Sequence, residues 1–107
     1  MNEAKDRYSV LAIDDEPYIR KLVTRVFQNT IYEVTAVGSS EEAMDEFKFI
    51  KPDLLLCDIG LPGMDGGQFV EAVRNHGLKV PILMLTSMAD ANTVKRLAKL
   101  GIQGYMR

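Results

Sequence analysis

Residues 8–27 read YSVLAIDDEPYIRKLVTRVF. The short apolar run Tyr8–Ile13 stops at Asp14, Asp15, Glu16 and Pro17. Beyond it Ile19, Leu22, Val23, Val26 and Phe27 recur at i, i+3, i+4, i+7 and i+8, the period of an amphipathic helix. The stretch therefore reads as strand, loop and helix, with Pro17 in the first helical turn, where its missing N–H costs nothing. Working outward, Tyr32–Val37 is rich in β-formers. Ser39 or Ser40 followed by Glu42 and Ala43 suits an N-cap, and Ala43, Met44, Phe47 and Ile50 mark a second helix ahead of Pro52. A third run, residues 54–57, closes on Asp58 and opens into a loop of breakers from Gly60 to Gly67; Phe69, Val70 and Val73 seed a third helix that Gly77 can end. A fourth run, residues 80–85, ends at Thr86 and Ser87. Asp90 can cap a fourth helix carrying Ala91, Val94, Leu97 and Ala98, and residues 102–106 read as a fifth strand.

Strict βα alternation argues for a parallel sheet with helices on both faces. The near-continuous apolar runs one, three and four belong at its centre, and the mixed runs two and five at its edges. The simplest right-handed winding is an α/β, doubly wound, five-stranded sheet of order 2-1-3-4-5, with its ligand crevice at the carboxyl ends of strands one and three. At 107 residues, 47% hydrophobic and 26% charged, the chain is the size of one domain spanning 1–107. A net charge of −2 with no block of five like charges lacks the basic footprint of a nucleic-acid binder. The single cysteine, Cys57, and the absence of a membrane-length apolar run or a signal-peptide pattern point to a reducing, cytoplasmic setting.

This winding brings three acids together. Asp14 and Asp15 end the first strand and Asp58 the third, on the same edge of the sheet. Like charges ~5 Å apart at an effective dielectric of 20 repel by roughly 3 kcal/mol per pair, so the group should protonate or recruit a cation. Oxygen ligands without a nearby His or Cys favour a hard ion, Mg2+ first. Lone acidic residues after a strand more often cap helices and sit in water; three converging on a switch point reverse that expectation. Glu16 suits the start of helix one through the helix dipole. Cys57 reads as a small buried hydrophobe, and His76, near the end of helix three, as structural. The glycines at 63, 66 and 67 match neither nucleotide-binding spacing.

Together these residues resemble the receiver domain of bacterial two-component response regulators, a flavodoxin-like fold. The resemblance runs through Ile13-Asp14-Asp15-Glu16, Cys57-Asp58-Ile59-Gly60-Leu61-Pro62-Gly63-Met64-Asp65-Gly66, Leu85-Thr86-Ser87 and Gly104-Tyr105. It implies that Asp58 accepts a phosphoryl group, that Asp15 binds Mg2+ directly with Asp14 acting largely through water, and that the Gly60 carbonyl adds a ligand. It also implies Thr86 as the phosphate-sensing hydroxyl and Tyr105 as the aromatic that follows it. The partners implied are a histidine kinase or histidine phosphotransfer protein on the input side and an output domain or effector protein on the other, with a homodimer as a further possibility. No direct nucleic-acid or membrane contact is expected. Gly60 and Met88, offering neither a positioned side chain nor a charge, imply slow self-dephosphorylation, and Ser87 is either a surface hydroxyl or a residue that tunes access to the phosphate.

The chain departs from the family pattern at its end. The Lys, the Pro and the last helix that follow Gly104-Tyr105 in the family are missing, so the sequence reads as a receiver cut short after its fifth strand, with its final helix absent. Arg107 stands one position early and by strand alternation points to the other face, so it is no substitute. One helix is then left to cover one face of the sheet, which would expose apolar surface. A Mg2+-dependent aspartyl-phosphate phosphatase would carry a second carboxylate two residues beyond its nucleophile, where Gly60 stands. A receiver-like interaction module that signals without phosphorylation is the alternative; the presence of Asp14, Asp15, Asp58 and Thr86 together argues against it, while the missing Lys argues mildly for it, and the expected role is that of a phosphoacceptor and not an enzyme.

Overall fold

The structure, a computed structural model, describes residues 7–58, 66–85 and 104–106, with residues 85 and 104–106 as backbone only. In chain order the elements are β1 (Tyr8–Ile13), α1 (Pro17–Val26), β2 (Tyr32–Val37), α2 (Ser40–Glu46), β3 (Leu54–Asp58), α3 (Gly66–Asn75), β4 (Ile82–Leu85) and β5 (Gly104–Met106). All strand pairs are parallel and the sheet order is β2-β1-β3-β4-β5, the winding expected from the alternation. β4 is shorter than the apolar run that encodes it. Val80 and Pro81 precede it, and Pro81, which has no N–H for a ladder, instead accepts from the Leu55 amide at 2.9 Å. The expected fourth helix lies outside the described residues.

Strand alternation sorts the core into two layers. On one face Leu11 and Ile13 of β1, Leu55 and Cys57 of β3, and Ile82 and Met84 of β4 pack with Ala43 of α2 and with Phe69, Val70 and Val73 of α3. Phe69 is fully buried and stacks on Phe47 with ring centroids 6.2 Å apart. On the other face Val10, Ala12 and Leu56 pack with Val23 and Phe27 from α1 and its C-cap. The second layer is thin. None of α1's residues is fully buried, and Tyr18, Leu22 and Val26, one stripe at i, i+4, i+8, are 65%, 52% and 63% exposed. Val23 and Phe27 reach the core while Leu22 and Val26 face away from it.

The helix ends follow local chemistry. Pro17 sits in the first turn of α1 as its fixed φ allows. Of the two candidate caps for α2, Ser39 performs the role: its Oγ accepts the Glu42 amide at 3.1 Å, and the Glu42 carboxylate accepts the Gly38 amide at 3.5 Å. Ser40, one residue on, is fully buried, and its hydroxyl has no hydrogen-bond partner among the described residues. Gly77, with φ +78°, reverses the chain after α3 in a conformation that a side chain would strain.

Candidate functional site

Sheet register builds the site. Ile13 of β1 stands opposite Cys57 of β3, so the next residue on each strand is an aspartate, Asp14 and Asp58. The backbone amide of Asp14 still donates to the Val37 carbonyl at 3.1 Å, which continues the β1–β2 ladder one residue past the strand and fixes where the chain turns. At β3 the Cys57 thiol, fully buried, donates to the Asp58 carbonyl at 3.5 Å. The sequence placed Cys57 as a buried hydrophobe, and it is one.

The three acids converge. One carboxylate oxygen from each of Asp14, Asp15 and Asp58 lies within 4.8 Å of the others. Asp14 is only 9% exposed, Asp15 is exposed and Asp58 is half-buried, so the cluster opens to solvent on the Asp15 side. Burial pushes the Asp14 carboxyl above its ordinary range, and the charges on Asp58, Asp15 and Glu16 push the same way; the Glu16 amide, donating to Asp14 Oδ1 at 2.9 Å, acts against them. Three oxygen donors this close, with no His or Cys among them, fit a hard divalent cation of the Mg2+ class. Glu16 caps α1 with its backbone only: its carbonyl accepts from the Ile19 and Arg20 amides at 3.1 Å, and its side chain makes no capping bond.

Other sequence-predicted residues fall elsewhere. Gly60, Thr86, Ser87, Met88 and Arg107 lie outside the described residues. Tyr105 is in β5, paired in register with Met84 of β4; its side chain lies outside the described residues. His76 is exposed just after α3, remote in sequence from the acids.

One residue at the site went unread in the sequence. Arg20 Nη1 donates to the Asp14 carbonyl at 2.8 Å, from the second turn of α1. The signal available was a single cation six residues after Asp14, which one turn of loop and one of helix bring back over the strand end. The same guanidinium passes close to Gly38, in the turn between β2 and α2. A Cβ there would lie 3.1 Å from Arg20 Nη1 and 3.7 Å from Glu42 Oε1.

The chain has known relatives. The family described as response regulator receiver domain matches residues 10–107. Among curated proteins, the chain is 34% identical over 100 residues to the "Probable C4-dicarboxylate response regulator DctR" of Halalkalibacterium halodurans, covering 91% of this chain and 43% of that protein. It is 33% identical over 102 residues to the sensor histidine kinase GacS of Pseudomonas protegens, covering 91% of this chain and 11% of that protein. The chain thus spans less than half the length of these curated relatives. Among solved structures, the chemotaxis protein CheY4 of Vibrio cholerae superposes with a TM-score of 0.86 at 31% identity, over 94% of this chain and 85% of that one.

Proposed function

From the premise that this chain belongs to the response regulator receiver domain family, we propose that it is a phosphorylation switch whose acceptor is Asp58. The observation that carries the proposal is the convergence of Asp14, Asp15 and Asp58 at the carboxyl ends of neighbouring central strands. The donor is a phosphohistidine on a histidine kinase or a histidine phosphotransfer protein. A carboxylate oxygen of Asp58 attacks the phosphorus in line with the imidazole nitrogen; the P–O bond forms as the P–N bond breaks, and the nitrogen keeps the electron pair. Asp14, Asp15, Asp58 and the Gly60 carbonyl would hold Mg2+, Asp15 directly and Asp14 largely through water. When bound, the ion supplies charge neutralisation on the transferring group.

The rest of the reading concerns output. Thr86 donates its hydroxyl to a phosphoryl oxygen, and Tyr105 turns in response, converting a charge event into a change of surface. An output domain or effector protein reads that surface. A cytoplasmic setting accords with a phosphohistidine donor; among the described residues no helix is long and apolar enough to cross a membrane.

The test is the intact mass of wild type and Asp58→Asn after incubation with Mg2+ and a small acyl phosphate. Gain of one phosphoryl mass by wild type alone, abolished by chelation, is the expected result. Labelling of both proteins would move the acceptor away from Asp58. Labelling of neither, with a cognate kinase also silent, would leave a receiver-like interaction module that works without phosphorylation.

A further inference from the structure

The turn that carries the acidic pair is held from behind by a cation. Arg20 Nη1 donates to the Asp14 carbonyl at 2.8 Å, and that carbonyl belongs to the peptide joining Asp14 to Asp15. Fixing this peptide fixes the unit from which two of the three carboxylates hang. The amide of Asp14 is tied to β2 through Val37 and its carboxylate to the Glu16 amide two residues on, and the Arg20 bond ties this turn to a helix side chain. A guanidinium is always charged and planar, and a charge-assisted bond from it is about twice as strong as a neutral one. Because it is spent on a carbonyl, it holds the loop without occupying the carboxylate oxygens.

The surroundings are fitted to this arrangement. A Cβ on Gly38 would stand 3.1 Å from Arg20 Nη1 and 3.6 Å from Cζ, tighter than ordinary packing, so the glycine leaves the guanidinium its berth. Glu42 reaches the same place, its Oε2 accepting the Gly38 amide at 3.5 Å. The turn between β2 and α2 and the first half of α1 thus meet behind the acidic cluster.

We propose that Arg20 is a positioning residue for the carboxylate cluster: it presets the Asp14–Asp15 peptide in the arrangement that receives a divalent cation, and Gly38 is glycine to leave room for it. The proposal rests on the reading of this cluster as a cation site. Without Arg20 the ligand turn must be ordered when the cation binds, which lowers affinity.

The test is calorimetric titration with Mg2+ of wild type, Arg20→Met, Arg20→Lys, Gly38→Ala and Lys21→Met, with amide NMR spectra of the metal-free proteins. Arg20→Met should weaken Mg2+ about ten-fold, the range seen when a residue supporting a metal ligand is removed, and should shift the Asp15 and Glu16 amides. Arg20→Lys should regain part of the loss. Gly38→Ala, which keeps the charge but displaces it, should weaken binding in the same direction. Lys21→Met, a charge lost from the exposed side of the same helix, should stay within about two-fold. Wild-type affinity in Arg20→Met, or an equal loss in Lys21→Met, overturns the proposal. If Arg20→Met does not fold, unchanged affinity in both Arg20→Lys and Gly38→Ala overturns it instead. A wild type that takes up no Mg2+ would fail at an earlier point, removing the cation-site reading itself.

Discussion

The carboxylate of Asp14 accepts the backbone N–H of Glu16 at 2.9 Å, two residues further along the chain. That bond favours the charged acid, yet burial and the neighbouring charges of Asp58 and Asp15 outweigh it, and the carboxyl is held above its ordinary value of 3.8. The fold therefore disfavours the charged form of Asp14, as expected where a cation or a phosphoryl group is to be handled.

The sign of that shift sets a pH dependence. With its folded pKa raised, Asp14 contributes stability that is fully present below its ordinary value and lost as pH rises through the raised value. Asp14→Asn should therefore be more stable than wild type at pH 7, by about 1–3 kcal/mol if one like-charge contact is relieved. The gain should shrink as pH falls toward the ordinary carboxylate range. Urea unfolding at pH 7 and near pH 4 measures both; an equal difference at the two values would contradict the assignment.

Divalent cation should reverse the same penalty. Mg2+ at ten times its dissociation constant is expected to stabilise the domain by about 1.4 kcal/mol through mass action. Chelation should remove the effect. Asp15→Asn and Asp58→Asn should blunt it, while each raises the stability of the metal-free protein by relieving repulsion. Thermal melts with and without EDTA decide this, and a cation-independent melting temperature in wild type would count against the site.

Adjacent serines should behave oppositely. Ser39→Ala removes the cap of α2 and should cost about 1 kcal/mol, near 5 °C in melting temperature. Ser40→Ala removes a buried hydroxyl without a hydrogen-bond partner among the described residues and should be neutral or stabilising by up to about 1 kcal/mol. Equal losses at both positions would show that Ser40 shares the capping role.

The two sheet faces should respond unequally to substitution. Phe69→Ala, in the fully buried layer, should cost about 3–5 kcal/mol, enough to unfold much of a marginally stable domain. Leu22→Lys, on the exposed stripe of α1, should stay within about 0.5 kcal/mol of wild type. Denaturant unfolding of the two variants checks the contrast; a large loss in Leu22→Lys would mean that α1 buries more than its Val23 and Phe27 side.

The elements read easily because each carries a local signature. β1 and β2 begin and end where the apolar runs of residues 8–13 and 32–37 do, Pro17 opens α1 and Gly77 follows α3 with the positive φ expected of it. The convergence of Asp14, Asp15 and Asp58 was also legible, since right-handed winding leaves few topologies and puts the ends of β1 and β3 side by side. The apolar run of residues 80–85 is two residues longer than β4, because apolar composition does not reveal where a ladder begins.

By itself, then, the sequence determined the order of the described elements, the strand order and the acids at the crevice, because periodicity, breakers and chain handedness act locally or through simple winding rules. Tertiary structure alone decided which of two serines caps α2, that Leu22 and Val26 face away from the core despite their helical spacing, and that Arg20 grips the Asp14 carbonyl past Gly38. Each of those outcomes depends on which surfaces meet in space. A pattern along one chain states what a residue can bury or bond, and only the packed neighbours fix whether there is a surface to bury against or a partner within reach.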